Sequence, residues 1–167
     1  AQIEARRNDS AKADAALRTL AAKHPDRVET AQARGYLALS RGQHATAIAA
    51  FRAALARQET TANALVLVNA YLASGDAGKA AGFLEGWLKT RPNDAAARKA
   101  LAESQFRAGQ LQGARQNYAK VLVLEPDDAV MLNNYANLLQ QLNDPAAQEI
   151  AERALTLAPY NPFHADT

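Results

Sequence analysis

The chain has no cysteine, which excludes a disulfide framework, a thiol nucleophile and a cysteine-based metal site. Its three histidines do not replace one. His24 precedes a proline, His44 opens a helix and His164 lies near the end, so whole hairpins separate them and no metal is expected. No apolar run approaches the roughly twenty residues that span a bilayer. Net charge is only +2 with the signs mixed, so no basic stripe offers itself to nucleic acid. Carboxylates are dispersed rather than paired at a spacing for acid–base work. There is neither a phosphate-binding glycine loop nor a nucleophile elbow. No enzyme and no cofactor are expected.

What remains is alanine and leucine. Apolar residues make up 49% of the chain but aromatics only 6%, and β-branched residues are few, a balance that favours an all-α fold. Residues 95–126 set the pattern. In the second half of that stretch Leu111, Ala114, Tyr118, Val121 and Leu122 recur at helical spacing, with Arg115, Gln116 and Lys120 on the other face. In the first half Leu101, Ala102 and Phe106 do the same, and Gly109 stands between. Neither helix buries its stripe alone, so each must pack on a partner and on the next pair.

The pattern recurs. Gly109, Ala114, Tyr118 and Pro126 are matched by Gly75, Ala80, Leu84 and Pro92, and by Gly42, Ala47, Phe51 and Glu59. Asn143, Ala147, Ala151 and Pro159 follow, and Asn8, Ala13, Leu17 and Pro25 precede. The closing positions 25, 59, 92, 126 and 159 are spaced by 34, 33, 34 and 33 residues. Alanine at the second position lets two helices cross closely, where a bulkier residue would cost about 1–3 kcal/mol. Gly42, Gly75 and Gly109 supply a left-handed turn, with Asn143 the next best residue there. Thr60 and Asp94 read as N-caps, and Asp144-Pro145 as a cap followed by proline at the first helical position.

A helix–turn–helix period of about 34 residues resembles the tetratricopeptide repeat (TPR). That resemblance implies a right-handed α-solenoid of antiparallel helix hairpins. One array is expected over 1–167: a partial repeat at 1–25, repeats at about 27–59, 61–92, 95–126 and 129–159, and a stub at 160–167. Residues 1–7 are read as the tail of a helix, Asn8-Asp9-Ser10 as a turn, and 10–23 as the second helix of that hairpin. Both ends cut through a repeat, so a fragment of a longer array, self-associating through its ends, is expected. In the repeat family the first helix of each hairpin faces the ligand. Mapped here, this gives Tyr36, Asn69, Lys99, Glu103, Arg107, Asn133 and Asn137 as partner-binding candidates, with Gln32 and Phe106 on the same faces. The asparagines suit an extended peptide, since an amide both donates and accepts. Lys99 and Arg107 suit a carboxylate. The alternative is that each is a solvated helix-face residue.

Two further features stand apart. Trp87 occupies a position where small residues usually sit and is expected to pack on the adjoining hairpin. Gly78, Gly82 and Gly86 form a bare stripe, each costing roughly 1 kcal/mol against alanine. Either another helix approaches it closely or it is a local irregularity without a partner.

Residues 75–94, 132–162 and the closing Ala165-Asp166-Thr167 resemble the PrsT family of repeat lipoproteins, which accompany PEP-CTERM protein sorting and exopolysaccharide loci in Gram-negative bacteria. This resemblance implies a protein- or peptide-binding scaffold of the cell envelope, with a lipid anchor outside 1–167. Phe163-His164 departs from that pattern and no lipobox is visible. The residues alone leave open a cytoplasmic adaptor or the accessory domain of a larger enzyme.

Overall fold

Helices follow one another at the pace the alanine and glycine positions set. A computed structural model describes the backbone of residues 2–157 and the side chains of residues 11–157. All regular structure among these is helical: α1 (Gln2–Lys23), α2 (Val28–Ser40), α3 (His44–Arg57), α4 (Thr61–Ala73), α5 (Ala77–Thr90), α6 (Ala95–Arg107), α7 (Leu111–Leu124), α8 (Ala129–Gln141) and α9 (Ala147–Leu157). The chain divides after Gly75 into two compact units, residues 1–75 and 76–167.

Inside the first unit α2 packs on α1 and on α3, and α3 packs on α4. Arg41, Gly42 and Gln43 turn the chain between α2 and α3. Gly42 adopts φ +69°, and the Gln43 N–H donates to the Ala38 carbonyl (2.9 Å), closing the helix end from beyond the left-handed residue. Phe51 fills the core with no exposed surface because Gly35 leaves it room: a Cβ on Gly35 would lie 2.5 Å from the ring. Ala47 and Ala54 flank Phe51 on α3 and are fully buried. Arg52 donates to the Tyr71 hydroxyl (2.6 Å), joining α3 to α4.

Inside the second unit each helix packs on the next, from α5 to α9. A buried cluster in it gathers Ala102, Ala114, Tyr118, Val121, Met131 and Leu138. The turn geometry repeats. Gly109 (φ +73°) lets the Gln110 N–H reach the Gln105 carbonyl, and Asn143 (φ +53°) lets Asp144 reach Leu139. First helices are capped by side chains: Asp94 accepts from the Ala97 N–H (3.0 Å) and Asp128 from the Met131 N–H (3.1 Å). In the first unit Thr60 accepts from Asn63 at the start of α4. Trp87 is buried. Its indole N–H donates to Asp94 at the cap of α6 (2.9 Å) and Arg91 stacks on its ring (4.0 Å).

Two expectations are corrected. No turn interrupts 8–10: α1 runs straight through, and Gln2–Lys23 is one helix. That copy lacks glycine, and the flanking Ala, Arg and Lys are strong helix formers that absorb the few tenths of a kcal/mol lost at each of Asn8, Asp9 and Ser10. Pro145 is not the first residue of α9. Pro145 and Ala146 form a turn in which Asp144 accepts from the Ala146 N–H, and the helix starts at Ala147. Phe106 is half-buried and packs against the Tyr118 cluster. The stub at 160–167 lies outside the described residues.

The glycine stripe resolves toward the irregularity. A Cβ on Gly82 or Gly86 would meet nothing within 4 Å, so no helix approaches there among the described residues.

Candidate functional site

The first helices carry the candidate residues in two separate sets. In the first unit Tyr36 on α2 is 53% exposed and sits edge-on to Phe51, the centroids 5.1 Å apart. Its ring is thus half anchored to the core and half available. Asn69 on α4 is exposed.

In the second unit Lys99, Glu103 and Arg107 lie four apart along one face of α6. Arg107 and Glu103 pair with each other (2.6 Å) at the surface. Lys99 is engaged differently. Its ammonium donates to Glu125 (2.5 Å) and to Asp128 (2.6 Å), the residues that end α7 and cap α8. The two carboxylates hold the Lys99 pKa above its usual value, the Asp128 bond weighing most. Burial pushes the Asp128 carboxyl up, but the Lys99 ammonium and the Met131 N–H outweigh it, so it titrates below the ordinary carboxylate range. Lys99 therefore already grips two carboxylates of its own chain.

Gln32, the fifth residue of α2 as Lys99 is of α6, does the same with amides. It donates to Asn63 (2.6 Å), which in turn donates to the Gln58 carbonyl (2.8 Å). This repeat position points along the array rather than outward, and its sequence signal is only that the residue is long and polar.

Asn133 and Asn137, four apart on α8, come together at one place. With Gln140 of the same helix and Gln148 of α9 they line a groove of about 240 Å³ floored by Ala136, Ala147 and Ala151. Four carboxamides over a floor of methyl groups form a surface that can donate and accept along its length without charge.

A line of side chains across α5, α6 and α7 escaped sequence reasoning. Gln105 donates to Glu85 (2.9 Å), Asn117 donates to Gln105 (2.8 Å), and Arg98 donates to Asn117 (3.2 Å). Gly113 makes room for it: a Cβ there would lie 2.8 Å from the Gln105 amide. The available signal was a glycine inside a helical run, away from the turns.

Among the described residues no His, Cys, Asp or Glu cluster could hold a metal, and no helix is long and apolar enough to cross a membrane.

One tetratricopeptide-repeat family model matches residues 1–64 and 99–162, and a second matches residues 38–103. The crystal structure of YrrB, described as a TPR protein with an unusual peptide-binding site, superposes with a TM-score of 0.72. Identity is 17% over 98% of this chain and 85% of that one. A MamA structure from Desulfovibrio magneticus RS-1 superposes with a TM-score of 0.73 at 19% identity, over 93% of this chain and 94% of that one. No curated protein matches the chain at a significant level. Proteins built from this repeat are interaction scaffolds that bind peptides or other proteins. Repeated helix hairpins, left-handed turn residues and a family model covering most of the sequence place the chain in the tetratricopeptide-repeat family, with the all-α fold of the solenoid class.

Proposed function

We propose that the chain is a non-enzymatic scaffold that holds an extended peptide of a partner protein against the first helices of its hairpins. The amide-lined groove between α8 and α9 carries this reading. Extended backbone alternates carbonyl and N–H groups, and carboxamides such as those of Asn133 and Asn137 answer both without demanding a particular side chain. The alanine floor lets backbone approach closely. Within the second unit the Glu103–Arg107 pair is a further contact, and within the first unit Tyr36 and Asn69 are contacts of its own. A surface pair exchanges partners at little cost. Lys99 contributes by fixing α6 to the start of α8. YrrB's described peptide-binding site supports peptide as the ligand class.

The test starts from a peptide selected out of a random display library against the full chain. Its affinity, read by fluorescence anisotropy, is expected to fall at least tenfold in an Asn137→Ala, Gln148→Ala double variant. Unchanged affinity would remove the groove from the reading.

The setting we propose is bacterial cell-surface protein sorting or exopolysaccharide export. It rests on the resemblance of residues 75–94 and 132–162 to the PrsT repeat lipoproteins. The complete gene decides it: a lipobox cysteine upstream is expected, and a start codon with no leader would overturn it.

A further inference from the structure

A second groove, of about 260 Å³, opens where the end of α7 passes the loop before α6. Pro92, Asn93, Arg98, Lys120, Val123 and Leu124 line it. Val123 is 82% exposed and Leu124 54%, a pair of aliphatic side chains left in water beside two cations. Arg98 is fixed in place. It donates to the Pro92 carbonyl and to Asn117, which the Gln105–Glu85 line holds from behind. Lys120 makes no hydrogen bond or ion pair among the described residues.

Two other copies of the repeat fill the same place from within. Asp127 corresponds to Asn93 and pairs with Arg153 (3.5 Å), the counterpart of Lys120. Arg153 also donates to the Pro126 carbonyl (2.7 Å). In the first unit Asp26 stands at the loop position and meets Arg57 (4.0 Å), the counterpart of Leu124. Arg57 reaches the Pro25 carbonyl as well (3.4 Å). The copy closed by Pro92 has a neutral amide there, at Asn93, and the copy closed by Glu59 has Thr60. The proline carbonyl is satisfied by Arg98, but the carboxylate that the copies closed by Pro25 and Pro126 supply is missing.

We propose that this groove is a docking site for an acidic, aliphatic segment of a partner protein. A carboxylate of the partner takes the place of the missing aspartate between Arg98 and Lys120. Leucine-like side chains beside it cover Val123 and Leu124. The charge complementarity sets the chemistry. A guanidinium held in one orientation and an uncommitted ammonium make charge-assisted bonds to a carboxylate, and the aliphatic pair rejects a purely polar anion. The surface is separate from the amide groove, so a partner can engage either.

A fluorescein-labelled octapeptide of alternating glutamate and leucine is the probe, titrated against the full chain at low salt and read by anisotropy. Binding is expected, and it should weaken roughly tenfold in Lys120→Glu through charge reversal. Asn93→Asp restores the internal carboxylate that Asp26 and Asp127 supply in their copies. It should weaken binding to a similar extent while leaving the melting temperature unchanged or raised. An octapeptide of alternating lysine and leucine should not bind. Equal binding by both variants and the parent would overturn the proposal. So would loss of binding in Asn137→Ala instead, which would move the peptide to the amide groove. Sedimentation with vesicles of phosphatidylglycerol and phosphatidylcholine, dependent on Lys120 while the octapeptide fails to bind, would overturn it in favour of a membrane surface.

Discussion

The two units tie successive first helices together at the same repeat position with different chemistry. In residues 1–75 the tie is neutral: Gln32 to Asn63, and Asn63 to the Gln58 carbonyl. In residues 76–167 it is ionic: Lys99 to Glu125 and Asp128. Gln58 and Glu125 both end a second helix, and Asn63 and Asp128 both sit at the start of the next first helix. One backbone geometry thus accepts two kinds of lock. A hydrogen bond to a charged group is the stronger of the two, about 1.5–3 kcal/mol against about 1 kcal/mol. It is also the one that responds to pH and salt. What distinguishes the two halves is the conditions under which each holds.

Breaking the ionic lock gives the largest expected effect. Lys99→Ala leaves the Asp128 and Glu125 carboxylates facing each other without a cation, and should cost about 2–3 kcal/mol in urea unfolding. Gln32→Ala should cost about 1 kcal/mol. Equal losses would mean that the charge adds nothing to the geometry. The pH response follows from the direction of the shifts. Asp128 titrates below its ordinary 3.8, so its contribution is present above that value and is lost as pH falls through the lowered one. Lys99 titrates above its ordinary 10.5, so its contribution is present below that value and is lost as pH rises through the raised one. Hydrogen exchange at the Met131 amide, which Asp128 caps, reads the acid arm locally. Lys99→Gln converts the lock to the first unit's chemistry and should remove its alkaline arm and weaken the acid arm, which the Met131 N–H still supports, at about 1 kcal/mol in overall stability. In the first unit the Arg41 guanidinium likewise holds the Asp14 carboxyl below its ordinary value, but this is a surface pair and is expected to contribute little.

Gly42, Gly109 and Asn143 were legible in the sequence because a left-handed backbone admits few residue types, so identity alone reports geometry. Buried Ala47, Ala80 and Ala114 were legible for the same reason: close helix crossing tolerates little else. Lys99 was not. A long flexible side chain on a helix face reaches partners anywhere in a wide cone, and its partners Glu125 and Asp128 are more than twenty residues away, across a helix and a turn. The Gln105–Asn117 line was hidden likewise, since its members come from separate helices and only Gly113 hinted that something fills the space. The continuous α1 shows the reverse failure. A repeat ruler carried through Asn8 overrode the local helix preference that the fold follows.

Glycine substitutions sharpen the comparison at smaller scale, because the same residue plays opposite parts in the two units. Gly35 in the first unit supports Phe51, and Gly35→Ala should cost about 1–3 kcal/mol, since the ring is fully buried and the new Cβ would lie 2.5 Å from it. Gly82 and Gly86 in the second unit support nothing, and each alanine should raise stability by about 0.5–1 kcal/mol. Thermal unfolding of the three variants checks both signs. Destabilisation by Gly82→Ala would show a partner for the bare stripe after all.

The smallest expected effect separates the two cores. Tyr118 stands in the second unit where Phe51 stands in the first, and Ala102 stands where Gly35 does; all but Gly35 have no exposed surface and Gly35 too is buried. The second unit thus carries a methyl and a hydroxyl that the first does without. The Tyr118 hydroxyl is buried without a hydrogen-bond partner among the described residues. Leaving such a group unpaired costs free energy that a phenyl ring avoids, so Tyr118→Phe should be neutral or stabilising by up to about 1 kcal/mol. Burial also raises the hydroxyl's pKa above the ordinary 10.0, so the folded state disfavours the phenolate. That contribution is present below pH 10.0 and is lost as pH rises through the raised value, the same direction as Lys99. Tyr118→Phe therefore removes one of two alkaline terms in the second unit. An alkaline loss that persists in Tyr118→Phe and disappears on adding Lys99→Gln assigns the remainder to the ionic lock. A loss abolished by Tyr118→Phe alone would assign it all to the core hydroxyl and leave the acid arm as the lock's only signature.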